Sequence, residues 1–318
     1  MYHKPEKFHF EKFGRTNVFF FFFFDFLDLT FDDWFATSSP FPSISLLAPP
    51  MARDSKKSRS NTKFLQTNQS IIDTKNARYI KLYQLLLHIF KGDKNTLFVP
   101  RLPKLASEPV NPSDIYTLID LSNIFIGFQK AVYENYPKSL GKVASIKMDM
   151  EALDLILQRG RTFVSKSVCG SYPKKNMSMT YVYHAMFDQC RSIGYEVTVM
   201  DRVSRQEEGE GAKEHGVDEM LSFQILGIIL SNKKTPGTLV LTTGDGQMSS
   251  LAGTMGFYPA VEKALANGWR VELYSFGGSL SQNWIRLRDS VGSSERFRII
   301  YLDEFVEVLH QKEFSSFV

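Results

Sequence analysis

The sequence predicts an α/β protein: a three-layer sandwich around a mostly parallel central sheet, with an accessory helix and a disordered leader ahead of it. Three observations carry this. From Ile115 onward, short near-continuous apolar runs alternate with longer amphipathic segments, as strands buried on both faces alternate with the helices that cover them. Where a helical segment hands over to a strand, glycine often stands at the helix end, as in SIGYEV and ANGWRV, which is ordinary C-cap chemistry. Acidic residues fall where strands stop, in IYTLIDLSN and LVLTTGDG, the rim at which open α/β sheets hold their ligands.

Residues 1–69 read unlike the rest. They contain six consecutive Phe within Val18–Phe24, a Ser/Pro stretch and the basic run MARDSKKSRSNTK, with no periodicity that supports a packed element. They are expected to be a low-complexity leader, with Met51 as an alternative start that would leave residues 1–50 untranslated. KKSRS reads as a short solvated basic patch or a nuclear address. Residues 70–112 are an accessory segment: SIIDTKNARYIKLYQLLLHIFK spaces its apolar residues at helical intervals until Gly92, and the four prolines that follow mark a linker.

The main domain is expected over 113–312. Its strands are IYTLIDL, RTFVSKSVCG, YEVTVMDRV, GTLVLTT, WRVELYSF and FRIIYL. Its helices are MDMEALDLILQRG, MTYVYHAMFDQCRSIG, GVDEMLSFQILGIILS, GFYPAVEKALANG, SLSQNWIRLRDSV and a closing helix from Asp303.

Composition narrows the class. Apolar residues make up 43% of 318, enough for a sizeable core. A net charge of +4 permits a nucleic-acid partner without demanding one. Cys169 and Cys190 form neither a CxxC pair nor a zinc spacing, so the expected setting is reducing, cytosol or nucleus. Val18–Phe24 is far shorter than the roughly 20 residues of a membrane span, so no membrane partner is expected. A homo-oligomer is left open.

The candidate site follows from the rim. Asp120 ends the first strand with Asn123 three residues on, Asp245 follows the strand TLVLTT inside Gly244-Asp245-Gly246, and Asp218 and Glu219 open a helix. If these converge, they supply the hard oxygen ligands that Mg²⁺ or Mn²⁺ take together with phosphate oxygens. Asn123 offers a donor and an acceptor for a water or phosphate oxygen. As a cation ligand, Asp245 has glycines that let the backbone turn away beneath it; plainer readings stand beside this, since acids suit a helix N-terminus, Asp120 can cap a turn, and Asp245 can be local turn chemistry. The chain lacks a P-loop ending, a third glycine for a dinucleotide fingerprint and a G-x-S-x-G elbow. His184 reads as a packed core residue, and His215 as a loop residue.

The ordered set IDLSN, GVDEML, LTTGDG, FYPAVEKALANGWRVELYSF, SLSQNWIRL and IIYLDEF resembles the NYN domain, a branch of the PIN-like nuclease superfamily, in particular the form seen in fungal proteins. The resemblance covers roughly 113–310. It implies metal-binding acids gathered at the carboxyl edge of the sheet and Mg²⁺- or Mn²⁺-dependent cleavage of RNA. It assigns Asp120 as the first-strand acid, Asn123 as the Asn of D-x-x-N, Asp218 as the acid opening the central helix, Glu219 as a second ligand there, and Asp245 as the acid after the fourth strand. The family often carries a further Asp after Gly-Asp-Gly and another acid beyond Asp218, where this chain has Gln247 and Gln224.

The leading expectation is therefore a metal-dependent endoribonuclease acting on single-stranded or structured RNA. A catalytically degenerate RNA-binding or scaffold module is the alternative, and a small-molecule phosphatase a more distant one, lacking its Asp-x-Asp. Arg202, Arg205 and Lys213 in the loop before the central helix, and Arg286 on the helix after SLSQN, are candidate phosphate contacts; Glu207, Glu208 and Glu210 oppose the first three in their loop, and Tyr258 and Trp284 are candidate stacking platforms.

Overall fold

Six of the apolar runs pair side by side in a computed structural model that describes residues 75–93, 114–136, 146–173, 177–200, 202–203, 213–214, 216–246, 256–292 and 295–311. All of these belong to one compact unit, Asn61–Val318. The leader over 1–69 and most of the linker lie outside the described residues.

The strands are β1 (Ile115–Asp120), β2 (Phe163–Ser171), β3 (Glu196–Met200), β6 (Thr238–Thr242), β7 (Arg270–Ser275) and β8 (Phe297–Tyr301). They lie in the order β3-β2-β1-β6-β7-β8, and every neighbouring pair is parallel. β1 and β6 are buried along their whole length, which is why they read as continuous rather than alternating apolar runs.

Parallel neighbours require crossovers, and helices supply them. α2 (Leu121–Asn135) and α3 (Met150–Gln158) join β1 to β2, and α4 (Met177–Ser192) joins β2 to β3. α5 (Val217–Ser231) carries the chain back from β3 to β6, α6 (Phe257–Ala266) joins β6 to β7, and α7 (Gln282–Val291) joins β7 to β8. The chain thus winds outward from β1 through β2 to β3, returns, and winds the other way from β6. The strand order reverses between β1 and β6, the point at which doubly wound sheets open a crevice beyond their carboxyl ends.

Two apolar cores fill the layers. One holds α2, α3 and α4 against the sheet, together with α1 (residues 75–89) and the short α8 (Val306–Leu309). The other lies under α5, α6 and α7. Alternation along β1 assigns its side chains: Ile115 and Ile119 enter the first core, Tyr116 and Leu118 the second, so Asp120, two residues after Leu118, points to the α5 side.

The structure differs from the sequence reading at four places. α2 is a full helix where none was expected, although Leu121, Ile124, Phe125, Phe128 and Val132 carry its spacing. Gly127 in its middle is there for contact: a Cβ would lie 2.5 Å from Ser279 Oγ and 3.0 Å from the Phe276 ring. The run YEVTVMDRV divides, because β3 stops at Met200 and Arg202–Val203 (β4) pairs antiparallel with Lys213–Glu214 (β5) as a separate ribbon. The closing helix begins as a 3-10 turn, Leu302–Phe305. The sheet is parallel throughout.

Candidate functional site

The carboxyl ends of β1 and β6 meet at the reversal point, with Ile119 paired to Thr242. Asp120, 3% exposed, leaves β1 in an extended conformation and caps α2. Its Oδ1 accepts from Asn123 N at 3.1 Å, and its Oδ2 accepts from Thr243 Oγ1 at 3.0 Å. The turn-cap role weighed for Asp120 is thus a helix-cap role, and it is combined with a second bond that reaches the next strand.

That second bond continues. Thr243 Oγ1 in turn accepts from Asp245 N at 3.1 Å, and Asn123 Oδ1 accepts from Gly244 N at 2.7 Å. Asp120, Asn123, Thr243 and the Gly-Asp-Gly turn therefore form one hydrogen-bonded strip across the two strand ends. The Gly244 N–H thereby fixes the Asn123 amide with Oδ1 as the acceptor, which makes Nδ2 its donor end.

The glycines beside Asp245 have a different cause from the one expected. Neither is among the glycines with positive φ. A Cβ on Gly244 would sit 2.3 Å from the Ser279 carbonyl oxygen, and one on Gly246 2.9 Å from Trp284 Nε1 and 3.0 Å from Ser281. They are small because the β7–α7 connection closes on them. Ser281 N donates to Gly244 O at 2.9 Å, and Asn283 Nδ2 donates to Gly246 O at 3.0 Å.

Asp218 and Glu219 stand in the first turn of α5. Since α5 runs from the end of β3 to the start of β6, that turn lies at the same rim as Asp120. The residues α5 buries are Val217, Leu221, Ser222, Ile225 and Ile229. At about 100° per residue, Asp218 lies over Leu221, Ser222 and Ile225 on the sheet-facing side, while Glu219 turns toward Phe223. Among the described residues, no group of three or more His, Cys, Asp or Glu side chains is close enough to hold a metal ion. The structure therefore links Asp120 and Asp245 through Thr243, and sets Asp218 and Glu219 at the same rim without closing a cluster around them. The donors are all oxygen, the chemistry that suits Mg²⁺ or Mn²⁺, which keep several waters and need no complete protein cage.

The departures from the family pattern fall on different ground. Gln224 has a buried Oε1 that no donor meets. Gln247 lies outside the described residues.

On the substrate side, Arg286 is exposed on α7, its Nη1 3.4 Å from Asn283 Oδ1 and so one residue removed from the Gly246 carbonyl. Arg202 and Lys213 fall on the β4–β5 ribbon, where the backbone pairs Arg202 with Glu214 and Val203 with Lys213; Arg205 lies outside the described residues, as do His215 and the three glutamates. Trp284 is fully buried, with Tyr258 at 5.7 Å and Phe297 at 6.1 Å between ring centroids, so it is core and offers no face to a base. His184 is exposed instead of packed in the core, stacked at 4.1 Å on Tyr172.

The cysteines are inert: Cys169 lies in one core and Cys190 in the other, and burial, with Asp154 nearby, pushes the Cys190 thiol up to about 12. Thr243 and Asn283, which tie the strip together, were missed by sequence reasoning. The visible signal was the Thr242-Thr243 pair ending an otherwise apolar strand.

No helix among the described residues is long and apolar enough to cross a membrane. A family model for the NYN domain matches residues 114–293, more than half of the 318. No curated protein matches the chain, and no solved structure does. With the parallel sandwich and the match in agreement, the chain belongs to the NYN domain family, a branch of the PIN-like nuclease superfamily.

Proposed function

We propose that the protein is a divalent-metal-dependent endoribonuclease that hydrolyses phosphodiester bonds of single-stranded or structured RNA. The observation that carries this reading is the strip joining Asp120, Thr243 and Asp245 at the reversal point of the sheet. The Asp120 carboxylate is held by two donors, and the Asp245 backbone is tied to the same Thr243 hydroxyl, so this part of the crevice is prepared before substrate arrives, and preorganisation is the main contribution a protein makes to phosphoryl chemistry.

Asp120, Asp218 and Asp245 would hold Mg²⁺ or Mn²⁺; Glu219, expected as a further ligand, turns toward the exposed Phe223 instead of the sheet-facing side of α5 and is left out of the set. When bound, the cation supplies Lewis-acid neutralisation of charge at the phosphate. The chain's own groups do the rest. Asp120 keeps a fixed orientation because both of its oxygens accept a hydrogen bond. Asn123 Nδ2 donates to a phosphate oxygen or to the attacking water. Asp245 faces the reacting phosphate from the other strand end and takes the proton from that water, which attacks phosphorus in line and expels the bridging oxygen. Arg286 is the exposed cation on the flank of the Gly246 turn, where it meets the phosphate backbone.

A second reading, an RNA-binding module that has lost cleavage, is favoured by the absence of a closed acidic cluster among the described residues and by Gln224. One assay separates them: the full chain and Asp245→Asn are incubated with labelled single-stranded RNA, in Mn²⁺ or in chelator. Cleavage that needs the metal and falls beyond the roughly 10–100-fold typical of outer-shell partners in Asp245→Asn supports the nuclease. Cleavage that survives in Asp245→Asn sinks the site, and RNA bound but intact in every metal supports the second reading.

A further inference from the structure

Ser222 is the one polar residue among those that α5 buries. It is 1% exposed, and its hydroxyl meets no hydrogen-bond partner among the described residues. Other helical serines return the hydroxyl to a carbonyl of their own helix: Ser192 Oγ donates to Gln189 O at 2.7 Å, and Ser290 Oγ to Leu287 O at 2.8 Å. Ser222 does not. A buried polar group that neither donates nor accepts destabilises a fold. Alanine would remove that cost, change the volume little and favour the helix. A hydroxyl kept at such a place calls for a partner that α5 and the sheet do not supply.

The residue one turn earlier says which partner. Ser222 follows Asp218 by four positions, so the two stand one above the other on the sheet-facing side of α5, their Cβ atoms about 5–6 Å apart. α5 packs there against β1 and β2, whose register partners Asp120 and Cys169 lie at the carboxyl rim. Mg²⁺ and Mn²⁺ held by a few carboxylates keep several of their waters, and every such water has protons to donate. A cation on Asp218 therefore brings to this corner the donor that Ser222 Oγ lacks, across a span that one water bridges.

We infer that Ser222 is a positioning residue of the candidate metal site: its hydroxyl accepts a hydrogen bond from a water kept by the cation on Asp218 and fixes where that water stands. The inference rests on the metal-site reading proposed above. It adds a residue that favours the metal-loaded protein at the expense of the metal-free fold.

Titration of the full chain with Mn²⁺, followed by the electron paramagnetic resonance of the free ion, tests this without RNA or turnover. Ser222→Ala should raise the Mn²⁺ dissociation constant at least about ten-fold, as loss of a group that orients a metal's ligands does. Its thermal midpoint in chelator should be unchanged or higher, which shows that the fold is kept. Ser231→Ala, an exposed change at the other end of the same helix, should leave the Mn²⁺ constant as it is and so controls for helix propensity. If Mn²⁺ binds Ser222→Ala as tightly as the wild type, or if Ser231→Ala weakens binding equally, the inference is overturned and Ser222 is a packing residue, while the metal site stands. A lower midpoint in chelator also overturns it, because the hydroxyl then has a structural partner. A wild-type chain that binds no Mn²⁺ overturns the metal site itself, and this inference with it.

Discussion

Thr243 does two things with one hydroxyl: it donates to Asp120 Oδ2 and accepts from Asp245 N. Valine keeps the volume but removes both bonds, leaving a buried carboxylate oxygen short of a donor. An unmet buried group costs about 1–3 kcal/mol, so Thr243→Val should lower unfolding stability by that much in urea, while Thr243→Ser should lose less. Gly244 is constrained by different physics. Its missing Cβ would meet the Ser279 carbonyl at 2.3 Å, and that atom belongs to backbone already tied down by the Ser281 N to Gly244 O bond. It cannot swing aside as a side chain does. Gly244→Ala should therefore cost about 1–3 kcal/mol, read as a lower thermal midpoint, and should displace Asp245 as well, so RNA cleavage should fall more than stability alone explains.

At the scale of elements, the most consequential contact is one that sequence could not show. Glu272 on β7, 5% exposed, is met by Arg159 at the end of α3, by Arg161, and by Arg298 on β8. Burial alone would raise its pKa, but Arg161, Arg159 and Arg298 outweigh that and hold it well below the ordinary 4.5. A depressed carboxylate contributes stability that is fully present above its unfolded pKa and is lost as pH falls through the folded one. Glu272→Gln should accordingly cost about 3–5 kcal/mol at neutral pH, since it leaves buried arginine charge uncompensated. Its stability should then decline less steeply than that of the wild type below pH 4.5, a comparison made by denaturant melts along a pH series. The pairing joins residues 111 and 113 positions apart, and no local pattern encodes such a distance. Elements with their own periodicity were legible: β6, β7, α6 and α7 fall within the runs that announced them. α2 carried the same spacing, but Ser122, Asn123 and Gly127 are weak helix formers, and only the contact with Ser279 and Phe276 accounts for the glycine. In the hydrogen-bonded strip, the places of Asp120, Asn123 and Asp245 could be read because strand ends are visible in sequence. Thr243 and Asn283 could not, because their role is set by which loop closes on which.

The family match spans 114–293, yet the folding unit is larger on both sides. α1 contributes Leu82 and Leu86, and Phe90 follows it, to the same core that holds α2, α3 and α4. Its polar side is fastened too: Arg78 bonds to Asp149, the cap of α3, and to the His310 carbonyl, and Lys75 pairs with Glu151. Just beyond, Asp93 pairs with the buried Arg159. At the other end β8, Leu302, Phe305 and α8 close the far edge of the sheet and the same core, and His310 bridges back to Met148. Exposed ion pairs such as Lys75–Glu151 add little; the apolar burial decides. Removing Leu82, Leu86 and Phe90 from the core forfeits about 1.5–3 kcal/mol for each, against a total stability of roughly 5–15 kcal/mol for a domain, and loss of β8 strips an edge strand besides. A fragment cut at 114 and 293 should therefore fail to give a cooperative unfolding transition, whereas one spanning 61–318 should unfold in a single step with the midpoint of the full chain. If the 114–293 fragment melts cooperatively at that same midpoint, α1 and the C-terminal segment are appendages and the core assigned to them is wrong.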